Sequence, residues 1–189
     1  MPLHTPPAPD PALHAVLTAL DSPAATRATP ALHGTTGPVS TSHPHPVHVL
    51  PSSATHPAAL ATTRRIGWRF LINAGDTPVA TAETLRTADG WAFSHFSQGP
   101  FATSTFRALT QAHALPATYQ PRLLSVPALY MLALWLHQES SPDCAGDLLV
   151  PLAPAPPGIT AHRPHLASDL LPALSPRPHP DPALLTSPV

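Results

Sequence analysis

The chain has 189 residues, 29 of them proline, with nine arginines, no lysine and ten acidic residues, for a formal charge of −1. A near-neutral chain without lysine lacks a broad cationic field, which argues against nucleic acid and anionic membranes as partners. A single cysteine, Cys144, excludes an internal disulfide. The opening MPLHTPPAPDP has neither the basic nor the apolar region of a secretory signal, so a cytoplasmic protein is expected.

Residues 1–9 read as disordered. Asp10–Leu20 predicts a short helix, with Asp10 as cap, Pro11 at the first helical position, and Leu13, Val16, Leu17 and Leu20 on one stripe. That stripe either docks on the rest of the molecule or serves as a partner-binding face for another protein. Residues 21–45 read as linker, 46–50 as an edge strand beside prolines, and 51–63 as linker again. Strict alternation in 64–72 predicts a strand with Ile66, Trp68, Phe70 and Ile72 on one face. Turn signals at 73–76 and 87–90 then separate further strands at 79–85 and 91–97, an antiparallel meander. A helix is expected over 103–114, stopped before Pro116, with Phe106, Leu109 and His113 on one stripe. The apolar run Leu123–Leu136 is too short to span a membrane, and its periodicity does not separate helix from strand over 127–137. Propensity favours a helix there, while the following DLLVPL at 147–152 favours paired buried strands. Beyond it lie an extended Pro-rich segment, a weak helix over 165–174 compromised by Pro172, and a tail.

All ten aromatic residues lie between Trp68 and Trp135, whereas 12 prolines fall in 1–63 and 11 in 151–189. Aromatic side chains carry much of a core's burial energy, and prolines deny donors to ladders and helices. The expectation is therefore a folded centre, 64–152, between a mostly disordered 1–63 and a Pro-rich 153–189. The fold class expected is α+β: a small antiparallel sheet of four to six strands with one packed helix, flanked by Pro-rich disordered ends. Trp68, Phe70, Trp91, Phe93, Tyr130 and Trp135 are the expected core.

The string Pro121–Tyr130 (PRLLSVPALY), with ALWLH, DLLVPL and HPHPVHVL, is similar to segments of uncharacterised Ala/Pro-rich proteins of GC-rich actinobacteria. The resemblance implies strands for the apolar run and for DLLVPL. It brings no activity, cofactor or catalytic residue.

Chemistry-bearing residues are sparse. His43, His45 and His48, with His56 nearby, are weak metal candidates, because imidazole suits zinc or copper but no carboxylate accompanies them. Cys144 lies in a polar loop beside Asp143, whose charge opposes thiolate formation, so it reads as a plain exposed thiol. His95 and Glu83 are the ionisable residues well inside predicted strands and mark a candidate pocket. The Pro-rich peptides 151–157 and 176–182 read as spacers. No nucleophile elbow, phosphate loop, Cys-pair zinc pattern or HExxH occurs. No catalytic residue and no cofactor is expected. The functional expectation is a non-enzymatic protein-interaction or regulatory module, with a small-molecule-binding or enzymatic domain around His95 as the alternative.

Overall fold

A computed structural model describes residues 3–174 apart from 24–26, 28, 34, 36 and 142. The expected tail at 175–189, with its Pro-rich peptide 176–182, lies outside the described residues. The fold is α+β, built on one eight-stranded mixed sheet in the order β4-β3-β2-β1-β5-β6-β7-β8. The strands are β1 (Val39–Val49), β2 (Arg64–Ala74), β3 (Thr77–Thr87), β4 (Gly90–Gln98), β5 (Gln120–Val126), β6 (Met131–His137), β7 (Leu148–Pro151) and β8 (His165–Leu166). The small four-to-six-stranded antiparallel sheet with one helix is thus corrected on strand number, on direction and on helices, of which the described residues contain five.

Two antiparallel meanders, β1–β4 and β5–β8, are joined along β1 and β5, the parallel pair. The join is short: Val47, His48 and Val49 face Leu123, Leu124 and Ser125. The strand expected at 46–50 as an edge is therefore the end of an interior strand. Its prolines survive for a local reason. Up to Pro46, β1 has β2 on one side and no register partner on β5, so Pro44 and Pro46 owe no donor there. A register shift between Ser42 and His45, with His43 at φ 47°, takes up Pro44.

The alternating strands fold as predicted, from 64 to 98. Gly67 permits the β2–β3 contact: a Cβ there would meet the Thr84 carbonyl oxygen at 2.0 Å. The apolar run is a hairpin. β5 and β6 pair from Gln120↔His137 to Val126↔Met131 around a single 3-10 turn, Pro127–Leu129, and β7 pairs with β6 in turn. Both faces of these strands are covered, which removes any period-two signal.

On one face, the Pro100–Ala112 helix returns the chain from β4 to β5 and packs on Val47, Leu71, Leu123, Leu134 and Val150. It starts three residues before the expected cap, with Pro100 at its N-terminal turn; the Thr103 hydroxyl donates to the Pro100 carbonyl. On the other face, the Asp10–Leu20 helix covers Trp68, Phe70, Ile72, Ala80 and Ala82. The Ala167–Leu174 helix and the Ala58–Ala61 turn cover Leu124, Met131, Trp135 and Leu149. Segments outside the expected folded centre 64–152, two of them expected as short helices, thereby contribute Val16, Leu60, Leu170 and Leu171 to the interior. Pro is compatible with this because those segments present Leu, Val and Ala at helical spacing, and burial of each Leu or Val side chain is worth roughly 1.5–3 kcal/mol. Of the expected aromatic core, Trp68, Phe70 and Trp135 are buried and Trp91 and Phe93 half-buried, but Tyr130 is 93% exposed. Tyr130 occupies the left-handed turn residue of the hairpin, φ 49°, and points away from both faces. No helix among the described residues is long and apolar enough to cross a membrane.

Candidate functional site

The two helical covers on the second face leave a gap along the β1–β5 join. There the structure has a cleft of about 740 Å³ lined by Pro46, His48, Arg65, Trp68, Gln120 and Arg122, with Pro6–Asp10 along its rim. The rim segment is a strap pinned at both ends. Leu3 bridges Tyr119, the His4 amide donates to the Tyr119 carbonyl at 2.8 Å, and the helix from Asp10 docks over β3 and β4.

Trp135 forms the base on which the polar groups are arranged. The Arg122 guanidinium lies 4.7 Å from its ring centroid, and the His48 ring meets it edge-on at 5.2 Å. Arg122 directs Nε and Nη2 to the Gln120 amide oxygen at 2.8 and 2.5 Å. A neutral amide orients the guanidinium without cancelling its charge. Burial lowers the Arg122 pKa, and Asp147 partly offsets that. Arg65 sits 6.0 Å from the Trp68 ring centroid. Among the described residues neither Arg65 nor Arg122 has a carboxylate within ion-pair reach. Arg65 is exposed to solvent, whereas Arg122 is half-buried, and a half-buried guanidinium without a counter-anion is stabilised when an anion binds.

His48 is a neutral member of this set. Thr63 donates its one hydroxyl hydrogen to the Leu60 carbonyl at 2.7 Å, so the His48 Nδ1–H donates to Thr63 Oγ1 at 3.0 Å and Nε2 keeps the lone pair. Burial first, then Arg122, lowers its pKa to about 4. Trp68 leaves its indole N–H buried without an acceptor among the described residues.

Behind Trp135 lies a second polar group. Its indole N–H donates to Asp147 Oδ2 at 2.5 Å, His137 Nδ1 is 3.0 Å from the same oxygen, and the Gln138 amide donates to Oδ1 at 2.9 Å. Asp147 is fully buried. Cys144 Sγ lies 4.0 Å from His137 Nδ1. The exposed thiol expected from the polar loop is corrected: Cys144 is 1% exposed, because its left-handed backbone, φ 58°, turns the side chain inward. Burial, then Asp147, pushes the thiol up to about 12, so it is not a ready nucleophile. Both the thiol and the carboxylate address the same ring nitrogen, whereas a Cys-His-Asp relay needs one on each nitrogen. Among the described residues, His137, Cys144 and Asp147 are the one group of three metal-ligand side chains that converges, with ligand atoms within 4.8 Å of one another.

The histidine-rich stretch does not converge in this way. His43 packs edge-on to Phe106, His45 is buried with Nε2 unpartnered, and His48 turns to Trp135. Glu83 and His95 are register partners on β3 and β4, but Glu83 accepts Nε and Nη2 of Arg69 and His95 is exposed beside Ser94. Neither lines the cleft. Of the proposed partner-binding stripe, Val16 is buried and Leu13 and Leu20 pack on the sheet; Leu17 is 43% exposed. Arg122, Gln120 and Asp147 were not anticipated. Arg122 was visible as a lone charge at the head of an apolar run, but Asp147 carried no signal beyond preceding a strand.

Comparison of the chain with protein-family models, with curated proteins and with solved structures finds no match.

Proposed function

We propose that the protein is a binding module for a small molecule bearing an oxyanion, carboxylate or phosphate, held in the cleft at the β1–β5 join. The observation that carries this reading is the pair Arg65 and Arg122, two cations that have no carboxylate partner among the described residues and face a concave space of about 740 Å³. That size suits a ligand of metabolite or drug dimensions, for which sites of about 300–1,000 Å³ are usual. Guanidinium is suited to planar oxyanions, and Trp68 and the prolines offer apolar walls to the rest of the ligand. Binding is favoured over turnover because the cleft pairs no acid with a base: His48 is held neutral, and Asp10 sits on the rim. This places the small-molecule alternative ahead of the protein-interaction one, at a site away from His95.

The test is titration of the full chain with pyrophosphate and, separately, benzoate at low ionic strength, followed by tryptophan emission. A saturable response to at least one probe, weakened tenfold or more in Arg122→Gln, is expected. No saturable response, or wild-type affinity in both Arg122→Gln and Arg65→Gln, overturns the reading.

A further inference from the structure

We propose that His137, Cys144 and Asp147 form a site for one divalent transition-metal ion of the zinc class, separate from the anion cleft. The donor set is a thiol sulfur, an imidazole nitrogen and a carboxylate oxygen, the mixture that suits zinc, and each comes from a side chain with little or no exposure. The spacing agrees. Zinc–ligand lengths of about 2.0–2.3 Å in a tetrahedron put neighbouring ligand atoms roughly 3.3–3.7 Å apart. Here Nδ1 stands 3.0 Å from Oδ2 and 4.0 Å from Sγ, with all three inside 4.8 Å. Small side-chain rotations close the difference.

The surroundings are those of a held ligand set. Trp135 Nε1–H and the Gln138 amide each donate to one Asp147 oxygen, fixing the carboxylate while leaving lone pairs free. His137 meets Asp147 and Cys144 through one nitrogen, which is where a metal would sit. Charge closes as well. Binding converts the thiol to a metal thiolate and releases its proton to solvent. The thiolate and carboxylate then balance the dication, leaving a buried centre without net charge. Three protein ligands leave a fourth position for water or a ligand atom.

Cobalt(II) is the probe, since Cys144 is the chain's sole cysteine and any thiolate-to-cobalt charge transfer must come from it. The reduced full chain titrated with cobalt(II) is expected to develop a near-ultraviolet charge-transfer band that saturates at one equivalent and is displaced by zinc. Cys144→Ser should lose the band, and His137→Gln and Asp147→Asn should weaken binding tenfold or more. Zinc should also slow alkylation of Cys144 in the wild-type chain, a readout that needs no variant. A folded wild-type chain without the band, an alkylation rate indifferent to zinc, or unchanged cobalt affinity in both His137→Gln and Asp147→Asn overturns the proposal. Binding by the other histidines would give cobalt uptake without the thiolate band and counts against it.

Discussion

Acid should destabilise this protein well before its carboxylates titrate. His45 is 1% exposed, its Nε2 has no partner among the described residues, and its pKa is lowered to about 3 by burial first, then by His43 and Arg69. His48 is lowered to about 4 by burial, Arg122 and Arg65, with His137 also opposing its charge. In the unfolded chain both return to about 6.5. The folded pKa lies below the unfolded one, so between them the unfolded state binds more protons. The stabilising contribution is complete above about pH 6.5 and is lost as pH falls towards the folded values. At about pH 5 each histidine sits 1.5 units below its unfolded pKa, worth about 2 kcal/mol apiece. His48 is only half-buried, so a combined loss of ~3–4 kcal/mol is expected. With a urea slope of ~2 kcal/mol per molar, the midpoint should fall by roughly 1.5–2 M between pH 7.5 and pH 5. Urea unfolding followed by circular dichroism measures this directly. His45→Leu, which removes the buried proton acceptor while keeping bulk, should remove about half of the fall. Equal midpoints at the two pH values, or an undiminished fall in His45→Leu, would refute the reasoning.

Two backbone predictions follow from the sheet. Gly67→Ala forces a Cβ to 2.0 Å from the Thr84 carbonyl, so β2 and β3 must separate there; a loss of roughly 1–3 kcal/mol is expected by urea or thermal unfolding, and a neutral result would contradict the close approach. Tyr130→Gly removes a side chain that is 93% exposed at φ 49° and should stabilise the chain by about 0.5–1 kcal/mol, whereas destabilisation would mean that the ring contributes contacts the fold does not show.

The parts of the fold that were legible in the sequence share a physical feature: the two sides of the element differ in polarity. Over 64–72, Trp68, Phe70 and Ile72 face the Asp10–Leu20 helix, while the opposite side, although also covered, carries Gly67 and the ion-paired Arg69; the Asp10–Leu20 helix keeps His14 and Thr18 exposed. The 123–136 hairpin shows no such difference, since Leu123, Leu134 and Leu136 face the Pro100–Ala112 helix and Leu124, Met131 and Trp135 the Ala167–Leu174 helix. The first part of β1 was hidden by composition: two prolines and three histidines in 43–48 resemble linker, and nothing local reveals that the strand has β5 register partners only at Val47, His48 and Val49. The boundary drawn from aromatic content failed for a related reason. This core is closed by aliphatic residues of Pro-rich segments, among them Val16, Leu60 and Leu171, which an aromatic count does not register. Among site residues, sequence spacing singled out the histidines of one segment, but ligand convergence depends on register. Trp135 and His137 meet Asp147 because β6 pairs with β7, and Leu136↔Leu148 is the last rung before the loop that carries Cys144.

The placement of the polar groups follows from how the sheet is assembled. Each meander has its own helical cover on the second face, and the two covers do not meet over the three-rung β1–β5 join. Side chains along that seam cannot be shielded by helix packing, so apolar residues would be left wet there. The seam instead carries His48, Gln120 and Arg122, each held by a specific partner: Thr63 for His48, and one another for Gln120 and Arg122. Trp135 is what allows charge so near the core. One part of the indole accepts Arg122 and His48, while its N–H is fixed by the buried carboxylate of Asp147. The cationic cleft and the His137–Cys144–Asp147 group are therefore two sides of one arrangement, in which a single tryptophan separates unpaired positive charge from a buried negative one.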